Sequence, residues 1–180
     1  MTTPPSPERF AAAFTAVAAH VADRHGVPTT VAPLTPPFRG DLDGARIVIA
    51  PDTDAETRLF LVAHLFGHTV QWNTSAAARR LGGRLYQRPG PAVLAALERY
   101  EREACGYSLS VLHEAGVTDL DQWLADHAAC DLAYLRHFYL TGERAEFRRF
   151  WREGTPPLVP LPIPEFHPRR WRRRIPGIVV

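Results

Sequence analysis

The run Val62-Ala63-His64-Leu65-Phe66-Gly67-His68-Thr69-Val70 organises the reading of this chain. Around it, Leu59, Val62, Ala63, Phe66 and Val70 recur at helical spacing and share one side of a helical wheel. His64 and His68 fall roughly opposite, beside Thr57 and Gln71. At a rise of about 1.5 Å per residue, positions i and i+4 lie one turn apart, about 6 Å along the axis. Their imidazoles then point at one place in space, which a shared metal ion requires. The alternative is two histidines in ordinary hydrogen bonds. Gly67 lies on the edge of the histidine face. Glycine inside a helix costs roughly 1 kcal/mol relative to alanine, a reasonable cost where another group must come close.

Upstream, Arg46–Ala50 is β-branched and apolar and predicts a strand, broken by Pro51 and Asp52. Thr53 with Glu56 three residues on has the pattern of a capping box, so a helix is expected from there to about Trp72. Nearer the start, Phe10, Phe14, Val17 and Val21 predict a helix over Glu8–His25, stopped by Gly26 with Pro28 just beyond. Thr29–Leu34 is a candidate short strand, and residues 35–44 have turn chemistry.

Downstream, Asn73-Thr74-Ser75 opens a shorter helix to about Leu81, ended by Gly82 and Gly83. Pro91 suits the first turn of a long helix to about Ala115, closed by Gly116. Thr118 or Asp119 caps a further helix that carries Trp123, Leu124, Leu132, Leu135 and Phe138 and stops at Gly142. Arg144–Arg152 reads as one short helix. From Thr155 onward, closely spaced prolines forbid a helix or a central strand and predict an extended arm lying on the domain.

A metal site usually takes a third protein ligand. On the helix over Pro91–Ala115, the apolar arc comprises Leu94, Leu97, Ala104, Cys105, Val111 and Leu112. Glu101 falls inside that arc, where a carboxylate must be paired or bound to a cation. Glu103 falls on the polar side and is the fallback. Pairing of Glu101 with an arginine is the competing reading. His20, His25, His113, His137 and His167 show no paired spacing that demands a metal.

The composition sets the frame. A chain of 180 residues with 46% apolar and 22% charged residues suits a single globular core. All 21 basic residues are arginine, and the net charge of +2 is too small to argue for nucleic acid by itself. Cys105 and Cys130 form no CxxC pair, which fits a reducing compartment. No window approaches the roughly 18 apolar residues of a membrane span, and Met1–Pro7 lacks the pattern of a signal peptide. A cytoplasmic protein is the expectation.

The strand Ile47-Val48-Ile49-Ala50, the helix Glu56–His68 and the later Glu101-Arg102-Glu103-Ala104-Cys105-Gly106-Tyr107 together resemble the ImmA/IrrE group of zincin-like metallopeptidases. In that family a strand precedes an HExxH helix, and a later Glu-x-x-Ala supplies the third zinc ligand. The resemblance covers roughly residues 45–115. It implies metal ligation by His64, His68 and Glu101, with Ala104 in the alanine place. It also implies an α+β, mostly helical fold: a minimal zincin-like domain over 1–154, with a small sheet packed beside the metal-binding helix and a Pro/Arg-rich arm over 155–180.

Where the family has glutamate after the first histidine, this chain has Leu65. That glutamate is the general base, and leucine can neither hold nor move a proton. The expectation is therefore an atypical metal-dependent enzyme using Zn²⁺, with Fe²⁺ as the alternative since two histidines and a carboxylate suit both, acting on a small-molecule or peptide substrate. Glu103, Tyr107 and Gln71 are the foremost catalytic candidates; Glu98, Tyr100, His127 and Asp131 are others. The competing reading is a non-catalytic metalloprotein that binds a partner or ligand. Arg169–Arg174, clustered around Trp171, is a candidate phosphate-binding and base-stacking segment; the competing reading pairs those arginines with acids of the domain and makes Trp171 a packing anchor.

Overall fold

Asp54 starts the helix that everything else surrounds. Its extended backbone leads in, and its carboxylate accepts from the Thr57 amide at 2.9 Å and the Thr57 hydroxyl at 2.7 Å. The expected cap at Thr53 is thus displaced by one residue. A carboxylate accepts more strongly than a hydroxyl and also complements the positive end of the helix dipole. Glu56 does not fold back into a capping box; it accepts from Trp123 Nε1 at 2.9 Å and pairs with Arg148.

The computed structural model describes residues 5–84 and 86–171. The chain order is α1 (Pro7–His25), β1 (Thr29–Val31), β2 (Gly40–Leu42), β3 (Ile47–Ile49), α2 (Ala55–Thr74), α3 (Ala76–Gly82), α4 (Pro91–Glu114), α5 (Asp121–Thr141) and a 3₁₀ turn over Phe147–Phe150. The architecture is α+β and mostly helical. The sheet order is β1-β3-β2, with β1 parallel and β2 antiparallel to β3. No helix among the described residues is long and apolar enough to cross a membrane.

Helix α2 is the centre of the molecule. Every residue from Leu59 to Trp72 is buried. Helices α1 and α4 pack along it, and β2 and β3 cover another side. An all-round buried helix is the pattern of a domain core, whereas a surface helix keeps a polar stripe.

Several expectations change. The 35–44 segment contains β2, which its Gly40-Asp41-Leu42 sequence hides because glycine and aspartate are poor strand formers. Gly40 is there for clearance: a Cβ would stand 2.9 Å from Leu65 Cδ1 and 3.0 Å from Leu61 Cδ2. Helix α2 runs on to Thr74, and Ser75 caps α3 by accepting from the Ala78 amide at 3.1 Å. Helix α5 begins at Asp121 behind Leu120, without a side-chain cap. Asp119, expected as a cap, pairs instead with Arg9 of α1. The Arg144–Arg152 segment forms only the 3₁₀ turn.

Residues 155–171 contain neither helix nor strand. Their hydrogen bonds go to the helices and the sheet end: Thr155 to Asp126, Leu161 to Gly106 and Ser110, Arg169 to Asn73, and Trp171 to the Asp43 carbonyl. Trp171 packs on Gly44 with the Arg79 guanidinium 3.8 Å from its ring centroid, and Arg170 pairs with Asp43 at 3.1 Å. Arg172–Arg174 lie outside the described residues.

Candidate metal centre

The site forms where α2 crosses α4. The crossing is very close at Gly67, where a Cβ would lie 2.3 Å from the Ala104 carbonyl oxygen. This contact lets the ligand face of α2 meet α4 one turn before Ala104, at Glu101. The His64 and His68 Nε2 atoms are 3.0 Å apart, and each is 3.1 Å from the same Glu101 Oε2. The three atoms form a nearly equilateral triangle. His64 is 1%, His68 2% and Glu101 9% exposed, so solvent does not satisfy them.

That triangle fits a metal. Zinc–ligand distances of about 2.0–2.1 Å imply edges of about 3.3 Å in a tetrahedral set. The observed edges of 3.0–3.1 Å lie close to that value. The other ring nitrogens are already engaged. His68 Nδ1 lies 2.8 Å from Gln71 Oε1. The Gln71 amide is oriented because its nitrogen donates to the Tyr100 carbonyl and to Glu103, so its oxygen must be the atom facing His68. His68 Nδ1 therefore donates, and in the neutral ring the lone pair sits on Nε2, facing the triangle. His64 Nδ1 meets Cys105 Sγ at 3.7 Å, so it too has a partner, through a sulfur contact. Metal-ligating histidines characteristically have their second nitrogen anchored in this way.

Aromatic faces fix the rings. Phe60 stacks on His64 with centroids 5.0 Å apart, and Tyr100 stacks on His68 at 4.4 Å. Burial alone would raise the Glu101 carboxyl. In the ion-free site, positive charge at His68 and hydrogen bonds from both imidazoles outweigh it and hold the group well below the usual carboxylate range; when the Nε2 lone pairs ligate an ion, that ion would supply the positive charge instead.

The remaining sequence candidates take varied positions. Gln71 orients His68, and Glu103 is exposed and braces Gln71. Tyr107 is half-buried on α4, its hydroxyl pushed up by burial and by Glu103. The Tyr100 hydroxyl is turned to Trp72, accepting from its Nε1 at 2.8 Å. Glu98 pairs with Arg136 and Arg102. His127 lies among Phe60, Trp123, Phe147 and Trp151. Burial, with Arg148 adding, lowers it to about 3.

Asp131, one turn beyond His127 on α5, is 3% exposed. Burial raises it to about 7, with His64 pulling down and Glu101 pushing up. Leu65 is fully buried and faces Gly40 of β2. Sequence reasoning misses the roles of Cys105 and Phe60. Each sits i±4 from a ligand, Cys105 from Glu101 and Phe60 from His64, and that spacing is the signal that places them there.

Searches of protein-family models, curated proteins and solved structures found no match to this chain.

Proposed function

We propose that this protein is a metal-dependent enzyme of hydrolase type on a zincin-like domain, with His64, His68 and Glu101 holding the ion. The observation that carries the proposal is the buried triangle of three ligand atoms at 3.0–3.1 Å, with both Nδ1 atoms already engaged. Zn²⁺ is the first choice and Fe²⁺ the alternative, since this donor set serves both. When bound, such an ion supplies Lewis-acid activation of water or of a substrate carbonyl.

The chain's own residues then divide the work. Gln71 keeps His68 in the ligating tautomer, and Cys105 contacts the outer nitrogen of His64. Phe60 and Tyr100 exclude water from the ring faces. Asp131, a buried carboxyl of α5 that interacts electrostatically with His64 and Glu101, is the residue proposed to hold and move a proton in place of the glutamate absent at position 65. The substrate class is a peptide or a small molecule with a hydrolysable carbonyl.

Elemental analysis of protein purified without an affinity tag is the test. At least one equivalent of zinc or iron is expected, and His64→Ala removes one. Absence of an equivalent sensitive to His64→Ala overturns the site. Given metal, Asp131→Asn is expected to lower metal-dependent hydrolysis of a panel of fluorogenic peptides and esters by at least about 100-fold without loss of metal.

The second reading, a metalloprotein without catalysis, is favoured by Leu65, whose place in the apolar contact with β2 leaves no carboxylate on α2 beside the ligands. It predicts stoichiometric metal with no turnover on that panel.

A further inference from the structure

His20 and His25 of α1 meet Glu114 of α4 at the rim of the helical layer. His20 Nε2 lies 3.0 Å and His25 Nε2 lies 3.1 Å from the same Glu114 Oε2. The ligand atoms of the three residues all lie within 4.8 Å of one another. Spacing along the chain does not reveal this group. His20 and His25 are five residues apart, off the i, i+4 register, and their rings meet at Glu114 of α4 near the end of α1.

We propose that His20, His25 and Glu114 form a second metal site, for a borderline divalent transition ion, Zn²⁺ foremost with Cu²⁺ and Ni²⁺ as competitors. Two imidazoles and one carboxylate are a suitable donor set for these ions.

Three features support an ion over a simple ion pair. First, both imidazoles converge on one carboxylate oxygen. Two neutral rings can each donate an Nε2–H to that oxygen, but both Nε2 atoms also reach the one point where a cation beside the carboxylate would sit, with ring centroids 5.6 Å apart. A divalent ion uses both lone pairs and the carboxylate together.

Second, α1 ends at His25 and α4 ends at Glu114, so the negative ends of two long helix dipoles converge where a cation would sit. Third, one ligand is held in place in advance. The His25 ring packs on Phe66 at 4.8 Å and lies parallel to Phe166 at 6.0 Å, with an interplanar angle of 4°.

The site differs in kind from the buried one. Its side chains are 23%, 12% and 40% exposed for His20, His25 and Glu114. Water or an incoming ligand can fill the remaining coordination positions, so exchange is faster than at the buried triangle. Through His25 and Phe166, an ion here ties α1 and α4 to the segment that follows Thr155.

Tag-free protein is stripped with a chelator and titrated with Zn²⁺ against a chromogenic competitor. Two equivalents are expected in the wild type. His64→Ala removes only one of them. His20→Asn and Glu114→Gln, both at the half-exposed rim, each weaken the other by at least tenfold and leave the far-UV spectrum unchanged. In the His64→Ala background, adding His20→Asn abolishes stoichiometric binding. Wild-type stoichiometry and affinity in both His20→Asn and Glu114→Gln overturn the proposal, whatever His64→Ala does. So does a wild type that binds no zinc sensitive to these two substitutions.

Discussion

Gly67 of α2 lies against the backbone of Ala104 on α4, so close that a Cβ would stand 2.3 Å from the Ala104 carbonyl oxygen. Backbone cannot yield as the end of a flexible side chain can. On an exposed helix, Gly→Ala stabilises by roughly 1 kcal/mol. Here the sign should reverse: Gly67→Ala forces the helices apart and costs about 1–3 kcal/mol, in the range of overpacked cores. The separation also opens the triangle, so metal affinity falls. Urea unfolding and zinc titration of the variant check both. A variant as stable as the wild type, with unchanged zinc binding, would refute the close-crossing account.

Leu65→Glu should not create a peptidase. Leu65 is fully buried and its Cδ1 atom bounds the space above Gly40. A glutamate there is enclosed by Leu61 and β2 with no cation beside it. The expected result is a loss of several kcal/mol or a carboxyl that stays protonated at neutral pH. Leu65→Met, which conserves volume, is expected to cost under about 1.5 kcal/mol. Chemical unfolding of the pair reads the difference. A folded Leu65→Glu protein with new peptidase activity would show that the position faces the metal after all.

Gln71→Leu keeps all three ligands and removes the acceptor for His68 Nδ1. Loss of such an outer partner typically lowers metal affinity 10–100-fold. The same substitution frees Glu103, which is exposed and gains water instead. Competition titration with zinc checks the prediction, and Glu103→Gln serves as a milder control. Equal affinity in Gln71→Leu and wild type would mean that the ring is oriented by stacking on Tyr100 alone.

In metal-stripped protein, Asp131 and His127 should pull the pH dependence of stability in opposite directions. Burial raises Asp131 from 3.8 to about 7, so between those values the folded state keeps a proton that the unfolded chain has released. Stability from this group falls as pH rises through that window. Burial, with Arg148 adding, lowers His127 from 6.5 to about 3, so there the unfolded chain binds the extra proton. Stability from that group rises with pH. Between about pH 4 and 6.5 the two slopes offset each other. Asp131→Asn is expected to leave a rising slope, and His127→Phe a falling one. Urea midpoints across pH 4–8 decide it; identical slopes in all three proteins would sink the assignment.

The two histidines are legible because a helix places i and i+4 on one face, and that geometry is local. Glu101 is legible because a carboxylate among Leu97, Ala104 and Cys105 needs a partner. Gly67 is legible as an anomaly, though its neighbour is not. What the sequence withholds depends on contacts between distant segments. Gly40-Asp41-Leu42 becomes a strand only because α2 presses on it and β3 offers hydrogen bonds. Asp119 is lost as a cap because Arg9, far away in the chain, claims it. His20 and His25 meet Glu114 only once α1 and α4 are docked.

The absence of any solvent-facing residue between Leu59 and Trp72 has a further consequence. An amphipathic helix can remain formed while half its partners are gone. This segment has no such intermediate state, because every side of it needs α1, α4 or the sheet. Its amides should therefore exchange with deuterium only through opening of the whole domain, at the slowest rate in the chain. The ligands ride on that same segment, so capture and release of an ion at His64 and His68 belong to one cooperative unit with folding itself.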